Sequence, residues 1–595
     1  MSDLLERRAR THMCGALRAE HVDQTVVLKG WVKSHRDKGG VVFMDLRDRE
    51  GYAQVVVEHS DDPAILRKAA ELRPEWVVGI VGRVRSRGDQ RNTELATGEV
   101  EVVAEEIEVF NKAKTPPFEV KDDVDTFEDK RLTHRYLDLR RPVLQRNLML
   151  RSRLTQLARE SLDAQGFVEL ETPFMVKYTP GGARNFLVPS RLNPGSFYAL
   201  AESPQLFKQL FMIAGYDRYF QVTRCFRDED FRQDRQPEFT QIDVELSFGR
   251  EAEVKTVMER VVRHMFAGAL QVELPDPFPQ MRYEEAMARF GSDKPDVRFG
   301  LEHVDVSGQV RAHEGGGHPL FQKTMAEGGM VKLLVVPADH KLSRKDVDGL
   351  EKEAKNLGAT GLGRARIGAE GGWTQSPFAK SLDPACQRAI SKAARAAEGD
   401  LLLMQFGPAR KVHVVLHQLR MLLGRKLDLI PEDRFAPLWV TEFPLFEEDE
   451  DTGQFVAAHH PFTSPRSEDV DRLATDPGAC RARAYDLVLN GFEVAGGSVR
   501  IHDPEVQSKV FDALSMGPEE QREKFGFLLD ALAYGAPPHA GIAAGLDRLA
   551  MIATGAGSLR DVIPFPKTSR GLDLMSGAPT PVSEKQLNDL ALKGS

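Results

Sequence analysis

The densest group of chemically useful side chains lies between residues 220 and 248. This segment is predicted to form a strand, a hairpin that begins with Arg227, Asp228 and Glu229, and a second strand in which polar and apolar residues alternate. Alternation places the two kinds of side chain on opposite faces of a sheet. The apolar row is Ile242, Val244, Leu246 and Phe248, and the polar row is Gln241, Asp243, Glu245 and Ser247. The polar row could form the floor of a site for a charged ligand, although a solvated face with ion pairs gives the same pattern.

A second segment, residues 541–551, is predicted to be a strand, a glycine turn and a helix. Gly545 has no Cβ, so a ligand could approach the backbone closely there. Arg548 falls in the first helical turn, where the helix dipole favours an anion. An ordinary helix start with a surface arginine is the alternative.

A third segment, residues 490–502, contains Glu493, a glycine pair and Arg500. Asp486, just upstream, could join Glu493 in holding a cation. Carboxylates together with phosphate oxygens are ligands that Mg²⁺ prefers. The alternative is a β-bulge at the glycines with ion pairs of purely structural value.

The first 112 residues contain the elements expected for a small β domain. Five stretches have strand character, and we expect a polar, basic turn at Lys33–Gly40 between the first two. Short strands with polar loops suit a barrel of the OB type, although a β-sandwich fits as well. The strand candidates are residues 26–32, 41–46, 52–57, 76–84 and 100–109.

The rest of the chain predicts helices and strands around a linker and an insertion. Adjacent prolines mark a linker at Lys114–Phe118. Leucines at helical spacing from Leu150 to Leu162 predict a helix that ends at Gly166, with a strand over 167–173 behind it. Residues 290–425 differ in texture and are predicted to be an inserted α+β domain. The tail beyond Pro564 is expected to be an extended arm or partly mobile.

Composition limits the classes of function. A chain of 595 residues can bury several cores, and a net charge of -9 argues against coating nucleic acid by bulk charge. The four cysteines form no CxxC pair, which favours reduced thiols in a cytoplasmic protein. No apolar run approaches the roughly 18 residues of a membrane span. We therefore expect no membrane partner, no secretory signal and no DNA ligand.

Taken in order, the three segments and the predicted barrel resemble the class II aminoacyl-tRNA synthetases. Leu170–Pro173 is similar to motif 1, an element of the dimer interface, the arginine hairpin is similar to motif 2, and Gly545–Arg548 is similar to motif 3. The resemblance implies a multidomain α+β fold with an antiparallel-sheet catalytic domain, a homodimer, ATP and Mg²⁺ as cofactors, and tRNA as a partner.

A closer resemblance, over nearly the whole chain, is to the bacterial-type aspartyl-tRNA synthetases. It rests on Ser203–Gln209, Arg227–Asp230, Asp234–Asp243, His459–Thr463 and Phe565–Lys567. It implies an OB-fold anticodon-binding domain, a hinge, a catalytic domain in two parts around the inserted domain, and a C-terminal extension. The predicted boundaries, in that chain order, are 1–112, 113–135, 136–289, 290–425 for the insertion, 426–563 and 564–595.

The same resemblance implies an ATP site. Arg227 would bind the α-phosphate and the aspartyl carboxyl oxygen, Phe239 would stack on adenine, and Arg548 would hold the γ-phosphate. Arg227 and Arg548 would be the catalytic residues, and Asp486 and Glu493 would carry Mg²⁺. The full ATP-binding set is Arg227, Asp228, Glu229, Gln236, Phe239, Glu493, Gly545, Leu546, Asp547 and Arg548.

An aspartate site is implied as well. Lys208 and Arg500 would clamp the side-chain carboxylate with help from His459, and Ser203, Gln205 and Asp243 would hold the amino group. Two buried cations would reject the nearly isosteric asparagine by about 10⁴, because asparagine would leave them unpaired. Attack by the α-carboxylate on the α-phosphate needs no general base.

Two positions depart from the family pattern. The site loop has Gly181 where the family has glutamate, which predicts weaker aspartate binding and thus a higher KM for aspartate. Ala495 stands where a glycine is usual. A glutamate at the first position would help to fix the substrate amino group. An alanine at the second adds one methyl group near the ATP site.

For the barrel, the resemblance implies anticodon contacts by Arg36, Phe43, Gln54 and Glu101, although Phe43 could instead be a core residue and Arg36 a solvated turn residue. Lys38 and Gln90 lie where the family separates enzymes for tRNA(Asp) alone from those that also charge tRNA(Asn), and they leave this choice open.

The function implied is an aspartate–tRNA ligase of protein biosynthesis. Lys208 and Arg500 argue against an asparaginyl- or lysyl-tRNA synthetase. The other alternative, a catalytically silent tRNA-binding protein, should have lost a motif arginine or a Mg²⁺ carboxylate, and this chain keeps all of them.

Overall fold

The computed structural model describes residues 6–58, 62–178, 184–229, 234–449 and 452–592. It contains two compact units. One comprises Met1–Met149 and Pro564–Thr580, and the other comprises Leu150–Ile563 and Pro581–Ser595. Gly181 and its neighbours in the predicted site loop lie outside the described residues.

The first unit is built on a closed five-stranded barrel with strand order β1-β2-β3-β5-β4. Its strands are β1 (Thr25–Lys38), β2 (Val41–Asp48), β3 (Gly51–Val57), β4 (Val77–Ser86) and β5 (Val100–Asn111). Alternate apolar side chains such as Leu28, Met44 and Val55 are fully buried and fill the interior. This architecture confirms the predicted OB-type barrel and excludes the sandwich.

The predicted turn at Lys33–Gly40 is wrong, because β1 continues to Lys38. Lys38 pairs with Val41, so that only Gly39 and Gly40 form the hairpin turn. Both glycines have positive φ, 62° and 92°, as a two-residue hairpin of this twist requires. The register shifts once between Val32 and Ser34, and from Ser34 to Lys38 the polar residues pair in order with β2.

Short helices complete this unit: α1 (Pro63–Glu71), α2 (Glu128–Thr133) and α3 (Arg135–Asp138). Asp138 is fully buried and accepts hydrogen bonds from Arg135 and Arg141. Arg135 Nε also donates to the carbonyl of Pro564 at 2.9 Å. These bonds fix the start of the C-terminal segment within its own unit.

The second unit carries the larger set of elements. Its strands are β6 (Val168–Glu169), β7 (Met175–Val176), β8 (Leu187–Pro189), β9 (Phe197–Leu200), β10 (Arg218–Phe226), β11 (Glu238–Ser247), β12 (Gln280–Arg282), β13 (His303–Asp305), β14 (Met330–Val336), β15 (Gly363–Ile367), β16 (Trp373–Thr374), β17 (Leu401–Gly407), β18 (Pro437–Thr441), β19 (Phe446–Glu448), β20 (Phe455–Ala457), β21 (Ala484–Leu489), β22 (Phe492–Val499) and β23 (His539–Gly545).

The remaining helices follow the same chain order. They are α4 (Pro142–Ala164, with residues 150–164 in this unit), α5 (Gln205–Ile213), α6 (Glu251–Leu270), α7 (Tyr283–Phe290), α8 (Ser307–Ala312), α9 (Pro319–Ala326), α10 (Arg344–Asn356), α11 (Pro384–Ala393), α12 (Ala409–Lys426), α13 (Pro504–Ala513), α14 (Pro518–Leu532), α15 (Leu546–Thr554) and α16 (Glu584–Asp589).

An eight-stranded sheet dominates this unit, with strand order β12-β18-β21-β22-β23-β11-β10-β6. The pairings from β18 to β10 are antiparallel, and the two edge pairings are parallel. The apolar row of β11 packs into a core that also takes residues from α4 and α6. The predicted antiparallel-sheet architecture is therefore confirmed.

Two local predictions about this sheet are wrong. Phe248 was expected in the apolar row, but it follows the end of β11 with a φ of 57° and is 69% exposed. The strand predicted over 167–173 is limited to Val168–Glu169. Its ladder ends near Leu170, whose N–H donates to Phe220, and Pro173 has no N–H to continue it.

The predicted inserted region contains a separate five-stranded antiparallel sheet, ordered β13-β14-β17-β15-β16. Both faces of β14 are buried, with Val331 and Leu333 in one apolar cluster and Leu334 and Val336 in another. Helices therefore cover the sheet on both sides. This part of the chain is α+β, as predicted.

Candidate active site

A cavity of about 1350 Å³ lies on the polar face of the eight-stranded sheet. The cavity wall includes most of the residues predicted for ATP, aspartate and Mg²⁺. These are Ser203, Gln205, Arg227, Glu229, Gln236, Phe239, Asp243, His459, Asp486, Glu493, Arg500, Gly545, Asp547 and Arg548. Of the polar row of β11, Gln241 and Asp243 line this cavity, while Glu245 and Ser247 are buried, so the row is not a surface face with solvated ion pairs.

A group of four buried charged residues lies beside this cavity, and two of them, Asp243 and Arg500, form part of its wall. Arg500 donates from Nε and Nη2 to the two carboxylate oxygens of Glu245, at 2.9 and 3.0 Å. Lys208 Nζ lies 3.1 Å from Asp243 Oδ1 and 3.3 Å from Glu245 Oε2. Arg500 Nη1 also donates to Ser498 Oγ. We call Lys208, Asp243, Glu245 and Arg500 the carboxylate-binding cluster.

The electrostatics of this cluster differ for its two acids. Burial raises the pKa of Asp243, and the nearby Lys208 only partly opposes this. Burial also opposes ionisation of Glu245, but Arg500 and Lys208 outweigh it and hold the pKa of Glu245 at about 2. Glu245 is therefore a permanent anion between two cations. Asp243 Oδ2 has no hydrogen-bond partner among the described residues and remains available to a ligand.

This arrangement corrects the premise that asparagine would leave Lys208 and Arg500 without any partner. Glu245 already pairs with both Lys208 and Arg500, and the cavity wall includes Arg500 but not Lys208. The sequence placed Glu245 on the correct face of β11 but gave it no role. The sequence also gave no role to Gly541. This position needs glycine, because a Cβ there would lie 1.8 Å from Glu245 Oε2.

Arg227 and Phe239 lie together where the nucleotide was predicted to bind. The Arg227 guanidinium carbon is 5.2 Å from the centre of the Phe239 ring. Arg227 Nε has no hydrogen-bond partner within the described parts of the chain, and Nη1 is 4.0 Å from Glu229. Glu229 is held by Arg235 at 2.9 Å. An arginine with donors to spare, in a cavity, is suited to a phosphate oxygen.

Arg548 projects from the first turn of α15 and is anchored to β22. Its Nη1 donates to the carbonyl of Glu493 at 2.6 Å, and its Nη2 is 3.5 Å from Asp234 Oδ2. Gly545 precedes α15 and supplies no side-chain cap, so the helix N-terminus offers backbone N–H groups to an anion. Arginine and helix dipole therefore favour an anion at the same place.

Of the predicted ATP set, Leu546 and Asp228 are not on the described cavity wall, and Asp547 is on it but already paired within the protein. Leu546 is 1% exposed and packs in the core, so only its backbone could face a nucleotide. Asp228 pairs through its backbone with Arg184 and is absent from the described cavity wall. Asp547 accepts hydrogen bonds from Arg151 and from the Thr240 N–H, so both of its carboxylate oxygens are occupied.

Asp486 and Glu493 flank one small gap beside Gly496. A Cβ on Gly496 would lie 3.1 Å from Asp486 Oδ1 and 3.5 Å from Glu493 Oε1. Burial, followed by the neighbouring carboxylate of Glu493, raises the pKa of Asp486 well above its ordinary value. Asp486 Oδ1 has no hydrogen-bond partner in the described structure. An orphaned carboxylate oxygen beside a second carboxylate fits a cation, although the described residues contain no group of three such ligands.

The residues predicted around the amino group and side chain of aspartate also lie on the cavity wall. Gln205 Nε2 is buried without a hydrogen-bond partner in the described ranges, and Ser203 Oγ accepts from the Gln205 N–H. His459 is open to the cavity and contacts Phe443 edge-on, and the surrounding protein lowers its pKa. Burial, with Arg500 and Lys208 nearby, lowers the pKa of His460 to about 3. Both imidazoles are therefore neutral at pH 7.

On the barrel, the four residues predicted for the anticodon lie on its outer face. Gln54 Nε2 donates to Glu101 at 2.7 Å, and Glu101 also accepts two hydrogen bonds from Arg85. Arg36 lies 3.3 Å from Asp45. Phe43 is half-buried and is not part of the barrel core, which removes the core alternative. Arg85 was not predicted.

The two positions predicted to set tRNA choice are exposed. Lys38 ends β1, and Gln90 belongs to the short 3₁₀ helix Gly88–Gln90.

An OB-type barrel and a mainly antiparallel sheet with arginines over a polar cavity together define the class II aminoacyl-tRNA synthetase architecture. A family model described as tRNA synthetases class II (D, K and N) matches residues 127–569. Another, described as OB-fold nucleic acid binding domain, matches residues 26–110. The chain belongs to the class II tRNA synthetases of the D, K and N group, and enzymes of this class use ATP.

Full-length relatives have closely similar sequences. The chain is 55% identical to an aspartate--tRNA(Asp/Asn) ligase of Anaeromyxobacter dehalogenans, over 98% of both chains. It is 52% identical to the protein of that name in Geotalea uraniireducens, over 100% of this chain and 99% of the relative. It is 49% identical to an aspartate--tRNA ligase of Geobacillus kaustophilus, over 98% of both. The predicted family resemblance is confirmed.

Solved structures share the fold at low identity. Asparaginyl-tRNA synthetase of Pyrococcus horikoshii, complexed with asparaginyl-adenylate, has a TM-score of 0.59 at 18% identity and covers 95% of this chain and 99% of its own. Aspartyl-tRNA synthetase of Entamoeba histolytica has a TM-score of 0.56 at 19% identity, with coverage of 92% and 89%. In the described part of the chain, no helix is long and apolar enough to cross a membrane.

Proposed function

We propose that this enzyme activates L-aspartate with ATP and transfers it to the 3′ end of tRNA. The observation that carries the proposal is the buried carboxylate-binding cluster next to the arginines of the ATP site. The relatives described above are named as aspartate--tRNA ligases, which supports aspartate as the amino-acid substrate.

Recognition of aspartate follows from the charges of the cluster, which has two cations and two acids. If the substrate ammonium pairs with Asp243, then Lys208, Arg500 and Glu245 keep one net positive charge, which the side-chain carboxylate of aspartate neutralises. Asp243, with its free Oδ2, together with Ser203 and Gln205 would hold the amino group. Asparagine would leave the positive charge uncompensated in a buried site, and sites of this kind can discriminate by about 10⁴. His459 would complete the pocket as a neutral ligand.

In the first step, an oxygen of the aspartate α-carboxylate attacks the α-phosphorus of ATP, and the bond to pyrophosphate breaks. Arg227 would bind the α-phosphate and the carboxyl oxygen, while Phe239 and Arg548 would place adenine and the γ-phosphate. Glu229, Gln236 and Gly545 would add contacts to ATP. No base is needed, so catalysis consists of positioning and charge neutralisation.

Asp486 and Glu493 would hold Mg²⁺, which neutralises charge on the phosphates when bound. The buried, orphaned Oδ1 of Asp486 supports this assignment. Burial raises the pKa of Asp486, and repulsion from the nearby carboxylate of Glu493 raises it further, so a bound cation would relieve both.

In the second step, a terminal hydroxyl of tRNA attacks the carbonyl carbon of the adenylate, and AMP leaves. The outer face of the barrel would bind the anticodon through Arg36, Phe43, Gln54 and Glu101. Arg85, which shares Glu101 with Gln54, would orient both.

For tRNA choice, we propose that both tRNA(Asp) and tRNA(Asn) are substrates, with Lys38 and Gln90 near the deciding bases. The relatives at 55% and 52% identity carry both tRNAs in their names, whereas the one at 49% does not specify a tRNA.

We propose a cytoplasmic homodimer. Exposed apolar side chains of the second unit lie on β6 and in or beside the three-stranded sheet β7-β9-β8, and a partner subunit would cover them. They are Val168, Phe174, Met175, Leu187 and Phe197. A mass near twice 66.4 kDa by light scattering supports the dimer, and a mass of 66.4 kDa contradicts it.

The transfer step is tested by charging purified tRNA(Asp) and tRNA(Asn) transcripts with labelled aspartate. Charging of both supports the proposal. Charging of tRNA(Asp) alone overturns the proposed choice of tRNA, and charging of neither overturns the function. A lysine tRNA transcript serves as the control for non-specific transfer.

A further inference from the structure

Arg151 on α4 is a buried cation that no step of the mechanism above uses. Its side chain is 14% exposed, and its guanidinium reaches three separate groups. Nη1 forms an ion pair with Asp547 and lies 3.3 Å from the Val562 carbonyl. Nη2 donates to Thr240 Oγ1 at 3.0 Å.

Asp547, the acid paired with Arg151, also binds Thr240 directly. Asp547 Oδ2 accepts a hydrogen bond of 2.7 Å from the backbone N–H of Thr240. Arg151, Asp547 and Thr240 therefore form a closed triangle that joins α4, the first turn of α15 and β11. Asp547 and Thr240 are both nine-tenths buried or more, so water competes little for these bonds.

Two members of the triangle, Asp547 and Thr240, are sequence neighbours of residues with a proposed role in ATP binding. Asp547 precedes Arg548, and Thr240 follows Phe239. The triangle thus links the chain position next to the proposed γ-phosphate contact with the chain position next to the proposed adenine contact. The described bonds of Lys208 and Arg500 include neither Arg151 nor Asp547.

We infer that Arg151 is a positioning residue for ATP, which fixes the spacing between Phe239 and Arg548 and leaves the aspartate site unaffected. The inference rests on the proposed roles of those two residues. A planar guanidinium reaches both Asp547 and Thr240, whereas a lysine ammonium at this position could reach only one of them. A displacement of about 1 Å between positioning groups can cost about 10²-fold in activity.

The test is equilibrium binding of a non-hydrolysable ATP analogue with Mg²⁺ to the full chain, by titration calorimetry, together with the KM for ATP and for aspartate. The variants are Arg151→Lys and Thr240→Val. The second variant keeps the backbone N–H of residue 240 but removes the Oγ1 acceptor. Arg153→Gln is the matched control, because Arg153 lies on the same helix, is 46% exposed and pairs only with Glu160 in the described residues.

We expect both site variants to weaken ATP binding by about tenfold or more and to raise the KM for ATP, with the KM for aspartate within about twofold of the parent. Arg153→Gln should match the parent in all three. Unchanged ATP binding in Arg151→Lys, or equal losses for ATP and aspartate, would overturn the inference. If Arg151→Lys does not fold, Thr240→Val decides by the same criteria. A parent enzyme that binds the analogue but does not activate aspartate would refute the proposed function while leaving this comparison intact.

Discussion

The substitution Glu245→Gln tests the interpretation of the carboxylate-binding cluster. The side chain of Glu245 is fully buried and accepts hydrogen bonds from Arg500 at 2.9 and 3.0 Å, with Lys208 at 3.3 Å. Glutamine keeps the shape but removes the negative charge, which leaves two buried cations without their shared anion. Breaking a buried ion pair by removing one partner costs about 3–5 kcal/mol.

The lowered pKa of Glu245 gives a second way to calculate the stability that Glu245→Gln would lose. A carboxyl with a pKa of about 2 instead of its ordinary 4.5 stabilises the folded protein by about 3 kcal/mol at neutral pH. Because the pKa is lowered on folding, this stabilisation is present above pH 4.5 and is lost as the pH falls from 4.5 towards 2. The two routes agree within their precision.

The assay is urea unfolding of the parent and of Glu245→Gln between pH 7 and pH 3, followed by the KM for aspartate at pH 7. We expect a loss of about 3 kcal/mol at pH 7 that becomes smaller below pH 4.5, and an aspartate KM at least tenfold higher, because Arg500 and Lys208 lose their anchor. Glu238→Gln on the same strand is the control, since Glu238 pairs with Arg224 at the surface and should cost less than about 1 kcal/mol. A loss below about 1 kcal/mol in Glu245→Gln, or one that does not change with pH, would refute the reasoning.

Four further changes have defined outcomes. Asp486→Asn should leave the urea midpoint unchanged or higher, because it removes a buried acid with a raised pKa, and should lower ATP–pyrophosphate exchange by about 10²-fold; full activity would contradict a role in holding Mg²⁺. Gly541→Ala would place a Cβ 1.8 Å from Glu245 Oε2, so we expect lower stability in urea and a higher aspartate KM, and a parent-like protein would contradict the described packing. Gly181→Glu should lower the aspartate KM in steady-state kinetics by restoring the carboxylate that the family has there, and an unchanged or higher KM would count against this. Phe43→Ala should weaken tRNA binding in a filter assay by about 1–3 kcal/mol without changing ATP–pyrophosphate exchange, and an equal effect on both assays would argue against an anticodon contact.

Local periodicity predicted much of the framework. Alternation in β11 placed Ile242, Val244 and Leu246 in the core and Asp243 on the opposite face, as the structure has them. The five barrel strands were recognised for the same reason. The errors fall where the local pattern changes: Phe248 after the end of β11, the polar end of β1 that was predicted as a turn at Lys33–Gly40, and the short strand predicted over 167–173.

Pairings between distant residues could not be predicted from local pattern. Glu245 and Arg500 are 255 positions apart, and Arg151 and Asp547 are 396 apart. Only the folded sheet brings these side chains together. The partner of each buried charge therefore came from the structure, while the residue types able to do chemistry came from the sequence.

Aspartate-dependent ATP–pyrophosphate exchange by the purified full-length enzyme tests the central claim most directly. The account predicts exchange with aspartate and at least about 10⁴-fold lower kcat/KM with asparagine. Once the substrate ammonium pairs with Asp243, only a side-chain carboxylate compensates the remaining positive charge of Lys208, Arg500 and Glu245. Exchange with asparagine at a comparable rate, or no exchange with aspartate from folded enzyme, would contradict it.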